Sequence, residues 1–180
     1  MDDLAWETLD TRTSYRCEGF DVVTDDVRLP DGTVAEFDYL SEEDSVVILP
    51  FDANGDVVVI EEWRQAVGRV NRGLPAGNLD DGEAPAAAAH RELAEETGHE
   101  AAELELLTSV EPANGFADAV FHYFVAYGCE PTAAQALDYN ESIRVGTASF
   151  EALRGAARDG ELRDGRSMLA VCYYALFESD

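Results

Sequence analysis

The chain of 180 residues is 46% apolar and 9% aromatic, enough for one domain with a packed core plus a small appended piece. Its 38 acidic residues stand against 12 basic ones, every one an Arg, for a formal net charge of −26, which excludes nucleic acid and anionic membranes as default partners. At molar salt the Debye length falls to ~3 Å, so the acidity reads as halophilic adaptation, suited to a high-salt cytoplasm. The sequence opens Met-Asp-Asp without a basic or apolar leader, and no apolar run approaches ~18 residues, so a cytoplasmic location is expected.

The first element is β-rich: FDVVTDDVRL and TVAEFDYL flank Pro30-Asp31-Gly32 as a hairpin. SVVILPF and DVVVIEEW, joined by Asp52-Ala53-Asn54-Gly55, form a clearer hairpin expected at the centre of a sheet. A Gly-rich loop then leads to APAAAAHRELAEETGHE, a helix of about 13 residues with Pro85 in its first turn and Gly98 just past its end. LELLTSV and AVFHYFVAYG are expected strands, and TASFEALRGAARDGEL and GRSMLAVCYYALF expected helices. The fold class is α/β (α+β), a mixed β-sheet with helices on its faces. Cys17, Cys129 and Cys172 have no zinc spacing and are expected to be buried structural thiols. His90 and His122 have no partners at metal or triad spacing.

On the first helix, Glu92, Glu95 and Glu96 share one face, while Ala86, Ala89 and Leu93 form a stripe that can face the core. Like charges three and four residues apart cost ~0.2–0.5 kcal/mol per pair, and carboxylates near a helix C-terminus oppose its dipole. Arg91 can hold Glu95 but cannot neutralise all three. A hard divalent cation such as Mg²⁺ can, and a plainly solvated acidic face is the competing reading. The frame decides between them: Gly77, Glu83, Arg91, Glu92, Glu95, Glu96 and Gly98 spell G-x5-E-x7-R-E-x-x-E-E-x-G, which arises by chance on the order of once in a hundred thousand such chains.

This frame resembles the Nudix box, with Leu93 at its first apolar position and His99 departing at its last, where a local repacking is expected. VVVIEEWRQAVGR, LPAGNLDDGE, EPANGFADAVFHYFVA and DGELRDGRSMLAV are similar to the ADP-ribose pyrophosphatase branch of that family. The resemblance implies a Nudix-type mixed sheet sandwiched between helices over 43–180, after a β-rich extension over 1–42 that forms a homodimer. It implies Mg²⁺- or Mn²⁺-dependent hydrolysis of a small-molecule nucleoside diphosphate sugar, ADP-ribose to AMP and ribose 5-phosphate. The alternatives are a pyrophosphatase for another such sugar or nucleotide, or a module that senses a nucleotide without cutting it.

By the same resemblance, the metal ligands are Glu92, Glu95, Glu96, Glu141 and the carbonyl of Ala76. Arg64 contacts substrate, because a guanidinium binds phosphate or ribose oxygens bidentately. Glu83 contacts substrate, touches a metal through water, or ties down the Gly-rich loop. Arg91 is catalytic in orienting the box, or an ordinary helix pair. Trp63, Phe20 and Tyr39 either stack on a base or lie in the core. In the branch, a loop before a strand carries two glutamates one residue apart, one of which activates water. Here Tyr139 fills the first place and only Glu141 is in register, so that either Glu141 is the base, or the neighbouring Asp138 reaches in, or metal alone acidifies the water enough, with the box glutamate Glu92 to be considered if neither loop acid serves.

Overall fold

The structure, a computed structural model, describes residues 4–178. It divides into two compact units, Met1–Asp44 with Glu111–Val120, and Ser45–Val110 with Phe121–Asp180. The first takes in the expected N-terminal piece and also the Glu111–Val120 segment.

In the first unit, β1 (Glu7–Arg16), β2 (Asp21–Arg28) and β3 (Val34–Ser41) form an antiparallel sheet in that order. β2 and β3 are the hairpin legible in the sequence; β1 is an additional strand whose polar run ETLDTRTSYR carries no apolar alternation. Val23, Thr24 and Val27 of β2 are buried, whereas β1 is exposed along its whole length. The Glu111–Val120 segment is tied to β3: Leu40 N–H donates to the Phe116 carbonyl (2.8 Å) and Asp118 accepts from Ser41 Oγ (2.8 Å) and Glu42 N–H (3.0 Å).

In the second unit, β4 (Ser45–Asp52) lies in the middle of the sheet, next to β5 (Asp56–Arg64) and β10 (Phe121–Pro131). The sheet order is β11 (Ile143–Ser149), β5, β4, β10, β8 (His99–Glu100). β6 (Arg69–Gly73) pairs with β5, β7 (Ala76–Asn78) with β4, and β9 (Glu103–Val110) with β10. β4 and β10 run parallel, and Ser45 to Pro50 are all buried, as expected of a strand covered on both faces. Side chains alternate across it: Val46 and Ile48 pack with Ala88, Ala89, Leu93 and Phe124, whereas Val47 and Leu49 pack with Leu74, Tyr123, Leu153 and Val171. The first layer rests on α1 (Pro85–Thr97), the second on α2 (Phe150–Arg158) and α3 (Gly165–Phe177). The mixed sheet between helices is the expected fold class.

Several local expectations are corrected. The β4–β5 hairpin is paired only at Phe51↔Val57 beside its turn; beyond it the strands part, β5 taking β6 and β11 as partners. The Gly-rich loop contains β6 and β7, whose polar and glycine residues are recruited by neighbouring strands. Thr147–Ser149 ends β11, and Ser149 caps α2 by accepting from the Ala152 N–H, so that helix is shorter than expected. On α1, Ala88 is buried and Ala86 is exposed. Of the cysteines only Cys129 is buried; Cys172 is exposed on α3. No helix among the described residues is long and apolar enough to cross a membrane.

Candidate active site

α1 begins on Pro85 without a capping side chain and ends on Gly98, whose φ of 71° closes the last turn. Its carboxylates do not project uniformly into solvent. Glu92 is 8% and Glu96 2% exposed, on the same side as Ala89 and Leu93, while Glu95 is more open. Burial pushes Glu96 up to about 8, with Glu92, Glu141 and Glu62 adding their charge, against the 2.9 Å hydrogen bond it accepts from the Ala76 N–H. Burial also raises Glu92, opposed by Arg91.

Arg91 does more than the expected pairing with Glu95. It donates to both oxygens of Glu83 (3.1 and 2.8 Å), to Glu92 (2.6 Å), to Glu95 (3.1 Å) and to the Asn78 carbonyl (2.8 Å). Glu83 also accepts from the Asp80 N–H (3.0 Å), and the Arg91 bonds hold its carboxyl below the usual range. The fixed Glu83–Arg91 spacing thus ties the Gly-rich loop to the acidic face of α1. β7 presses the loop onto the same place, with Gly77 against Glu92: a Cβ on Gly77 would lie 2.1 Å from the Glu92 carboxyl carbon. Glycine is required there to leave room for a carboxylate.

The loop after β10 completes the wall. Thr132 and Ala133 N–H donate to the Gly98 carbonyl, Ala136 N–H to the Glu95 carbonyl (2.9 Å) and the Gln135 side chain to the Glu96 carbonyl (2.6 Å). The carbonyls left unpaired at the end of α1 therefore anchor this loop. It presents Asp138 and Glu141, joined by Asp138 N–H donating to Glu141 Oε2 at 3.0 Å. A cavity of about 570 Å³ is lined by Ala76, Arg91, Glu92, Glu95, Asp138 and Glu141, together with Arg64 and Trp63 at the end of β5.

Glu96 lies outside that lining and Glu83 reaches it through Arg91. Trp63 is 47% exposed and in the lining, which removes it from the core; Phe20 and Tyr39 belong to the other unit. His99 N–H donates to Thr97 Oγ1 and its ring bonds the Thr97 carbonyl. Among the lining residues that the sequence did not single out are Glu62, Asp80 and Arg166. Glu62 stands two residues before Arg64, on the same face of β5, a signal that strand alternation carries. Arg166, in the first turn of α3, has no local signal, because it is about a hundred residues from β5.

The donor set is all oxygen, carboxylates and a backbone carbonyl, and its chemistry fits a hard divalent cation. Among the described residues no three acidic side chains converge on one point, because Arg91 holds Glu92 and Glu95 while Ala76 holds Glu96.

The NUDIX domain family model matches residues 42–168. The chain belongs to the Nudix family. Among similar proteins, a methanol dehydrogenase activator of Bacillus methanolicus is 28% identical over 174 residues, 96% of this chain and 94% of its own. An ADP-ribose pyrophosphatase of Bacillus subtilis (strain 168) is 28% identical over 180 residues, 99% of this chain and 97% of its own. An ADP-ribose pyrophosphatase of Mycobacterium tuberculosis is 33% identical over 124 residues, 68% of this chain and 60% of its own. The crystal structure of an ADP compounds hydrolase superposes with a TM-score of 0.84 at 22% identity, covering 96% of this chain and 94% of its own, a likeness of fold. The chain is a Nudix hydrolase of ADP-ribose pyrophosphatase-like type, and Nudix enzymes generally depend on divalent metal.

Proposed function

We propose that this Nudix hydrolase cleaves the diphosphate linkage of a nucleoside diphosphate sugar, splitting ADP-ribose to AMP and ribose 5-phosphate with Mg²⁺ or Mn²⁺. The observation that carries the reading is one cavity in which box carboxylates and Arg64 are exposed together. Two relatives bearing the name ADP-ribose pyrophosphatase, one matched over nearly its full length and one over 60% of it, support the substrate.

Glu92, Glu95, Glu96, Glu141 and the Ala76 carbonyl would hold the cation. A divalent cation in such a set neutralises phosphoryl charge and acidifies water. Arg64 takes phosphoryl or ribose oxygens. Arg91 keeps Glu92 and Glu95 in place and Glu83 keeps Arg91 in place. Glu141 accepts the proton of the attacking water: it lines the cavity, and the Asp138 N–H fixes one of its oxygens. Asp138 and Glu92 are the alternatives for that step.

The test is a panel of nucleoside diphosphate sugars with Mg²⁺ and then chelator, with products identified by phosphorus NMR. Turnover of ADP-ribose abolished by chelation is expected; ADP-ribose among the poorest substrates overturns the assignment, and binding without cleavage would mark a sensor. At saturating Mg²⁺, Glu141→Gln is expected to lower kcat by ~10²-fold or more and Asp138→Asn by far less. The reverse order moves the base to Asp138, and no loss in either moves it to Glu92.

We extend the proposal to a homodimer formed through the N-terminal sheet. β1 leaves Leu9 and Tyr15, with Trp6 just before it, exposed along an open edge. Sedimentation giving an active monomer would remove this part.

A further inference from the structure

The lining of the cavity holds six carboxylates against three guanidiniums, so a diphosphate entering it meets more acid than base. Arg91 is spent on five protein oxygens. Arg64 and Arg166 remain. Arg166 is hydrogen-bonded only through Nε, to Asp164 Oδ1 at 3.3 Å, and its terminal nitrogens make no hydrogen bond to the described residues. Its backbone is rigidly placed. Asp164 caps α3 by accepting from Ser167 N–H (3.2 Å) and Ser167 Oγ (2.5 Å), while Ser167 Oγ accepts from the Leu74 N–H (2.8 Å).

Glu62 lines the cavity with both arginines and is 8% exposed, with Arg64 Nη2 2.7 Å from its Oε2 and no hydrogen bond to that oxygen from the described residues. Arg166 acts on the same carboxylate through its charge. Glu62 pairs with Arg64 and Asp164 with Arg166, so two carboxylates hold the two guanidiniums at one wall of the cavity, built from the end of β5 and the first turn of α3.

We propose that Arg166 is a specificity-determining contact which, with Arg64, takes the phosphoryl oxygens of the diphosphate at this wall. The inference rests on the function proposed above and adds a substrate-binding residue to it. A planar guanidinium with free terminal N–H groups matches two phosphoryl oxygens at once, and a stem fixed by Asp164 reduces the ordering that binding requires. Together the two arginines select for substrates carrying two linked phosphates over monophosphates.

Steady-state kinetics on ADP-ribose at saturating Mg²⁺, with Mn²⁺ affinity by electron paramagnetic resonance and the melting temperature as controls, tests this. Arg166→Gln is expected to raise KM about tenfold or more, with kcat within a few-fold and Mn²⁺ affinity unchanged. Arg166→Lys is expected to recover part of the loss. An unchanged KM in folded Arg166→Gln overturns the inference and leaves the proposed function standing, since the wild-type enzyme still turns over. If Arg166→Gln fails to fold, Arg166→Lys decides: a KM raised threefold or more supports the contact, and a wild-type KM overturns it. Wild-type protein that neither binds Mn²⁺ nor cleaves ADP-ribose overturns both.

Discussion

Glu96 is enclosed, bonded to the Ala76 N–H, and surrounded by the charges of Glu92, Glu141 and Glu62. Its proton is held up to about 8, well above the usual glutamate value of ~4.3 expected of the unfolded chain. The folded, metal-free protein therefore binds that proton more tightly than the unfolded one, and stability falls as pH rises between those values. In chelator, Glu96→Gln is expected to melt a few degrees higher than wild type at pH 8, with the gap closing near pH 5, while its turnover with Mg²⁺ drops by orders of magnitude. Equal melting temperatures at pH 8, or near-normal turnover at saturating metal, would remove Glu96 from its proposed place. At this scale the box acids, Arg91 and Glu83 were legible because one helix and one short loop carry them at fixed spacing. Arg166 was not, since a first-turn residue of α3 enters the cavity only through tertiary packing.

α1 is held at both ends by neighbours that also build the site. The Gly-rich loop is fixed by Glu83 and Arg91, and the Asp138–Glu141 loop by the carbonyls of the last turn. The two box glycines serve these two junctions, and their alanine variants separate chemistry from stability. In Gly77→Ala the nearest atoms the new Cβ meets are those of the Glu92 carboxyl group, at the end of a side chain and not in the backbone, so a loss of activity of ~10²-fold with a small change in melting temperature is expected. In Gly98→Ala the Cβ would lie 2.3 Å from the Ala133 carbonyl oxygen, at a backbone φ of 71°, so unfolding at least several degrees lower is expected. Circular dichroism melts beside kcat check both, and a reversed pattern would contradict them. Elements with strong periodicity or caps, such as α1, β4 and β10, could be read from sequence. β1, β6 and β7 could not, because polar residues there become strands only when an adjacent edge offers them hydrogen bonds.

At the scale of the whole chain, a charge of −26 is offset by few cations, and most of its ion pairs are surface pairs such as Arg12 with Asp26 and Glu36. Such pairs contribute little, whereas unscreened repulsion among the remaining acids opposes compaction. The melting temperature is expected to rise from low to molar KCl, and a flat profile in differential scanning calorimetry would contradict it. The composition alone carries this prediction. The hydrogen bond from Leu74 to Ser167 spans 93 positions, and the parallel pairing of Ser45 with Phe121 brings together segments that the whole of α1 separates. Arg64 and Arg166 line the same cavity across a similar span. No early-synthesised fragment can therefore assemble the cavity: loop closure must come first, refolding is expected to be slow for a chain of this size, and catalytic competence should return only with the last native contacts of the C-terminal helix.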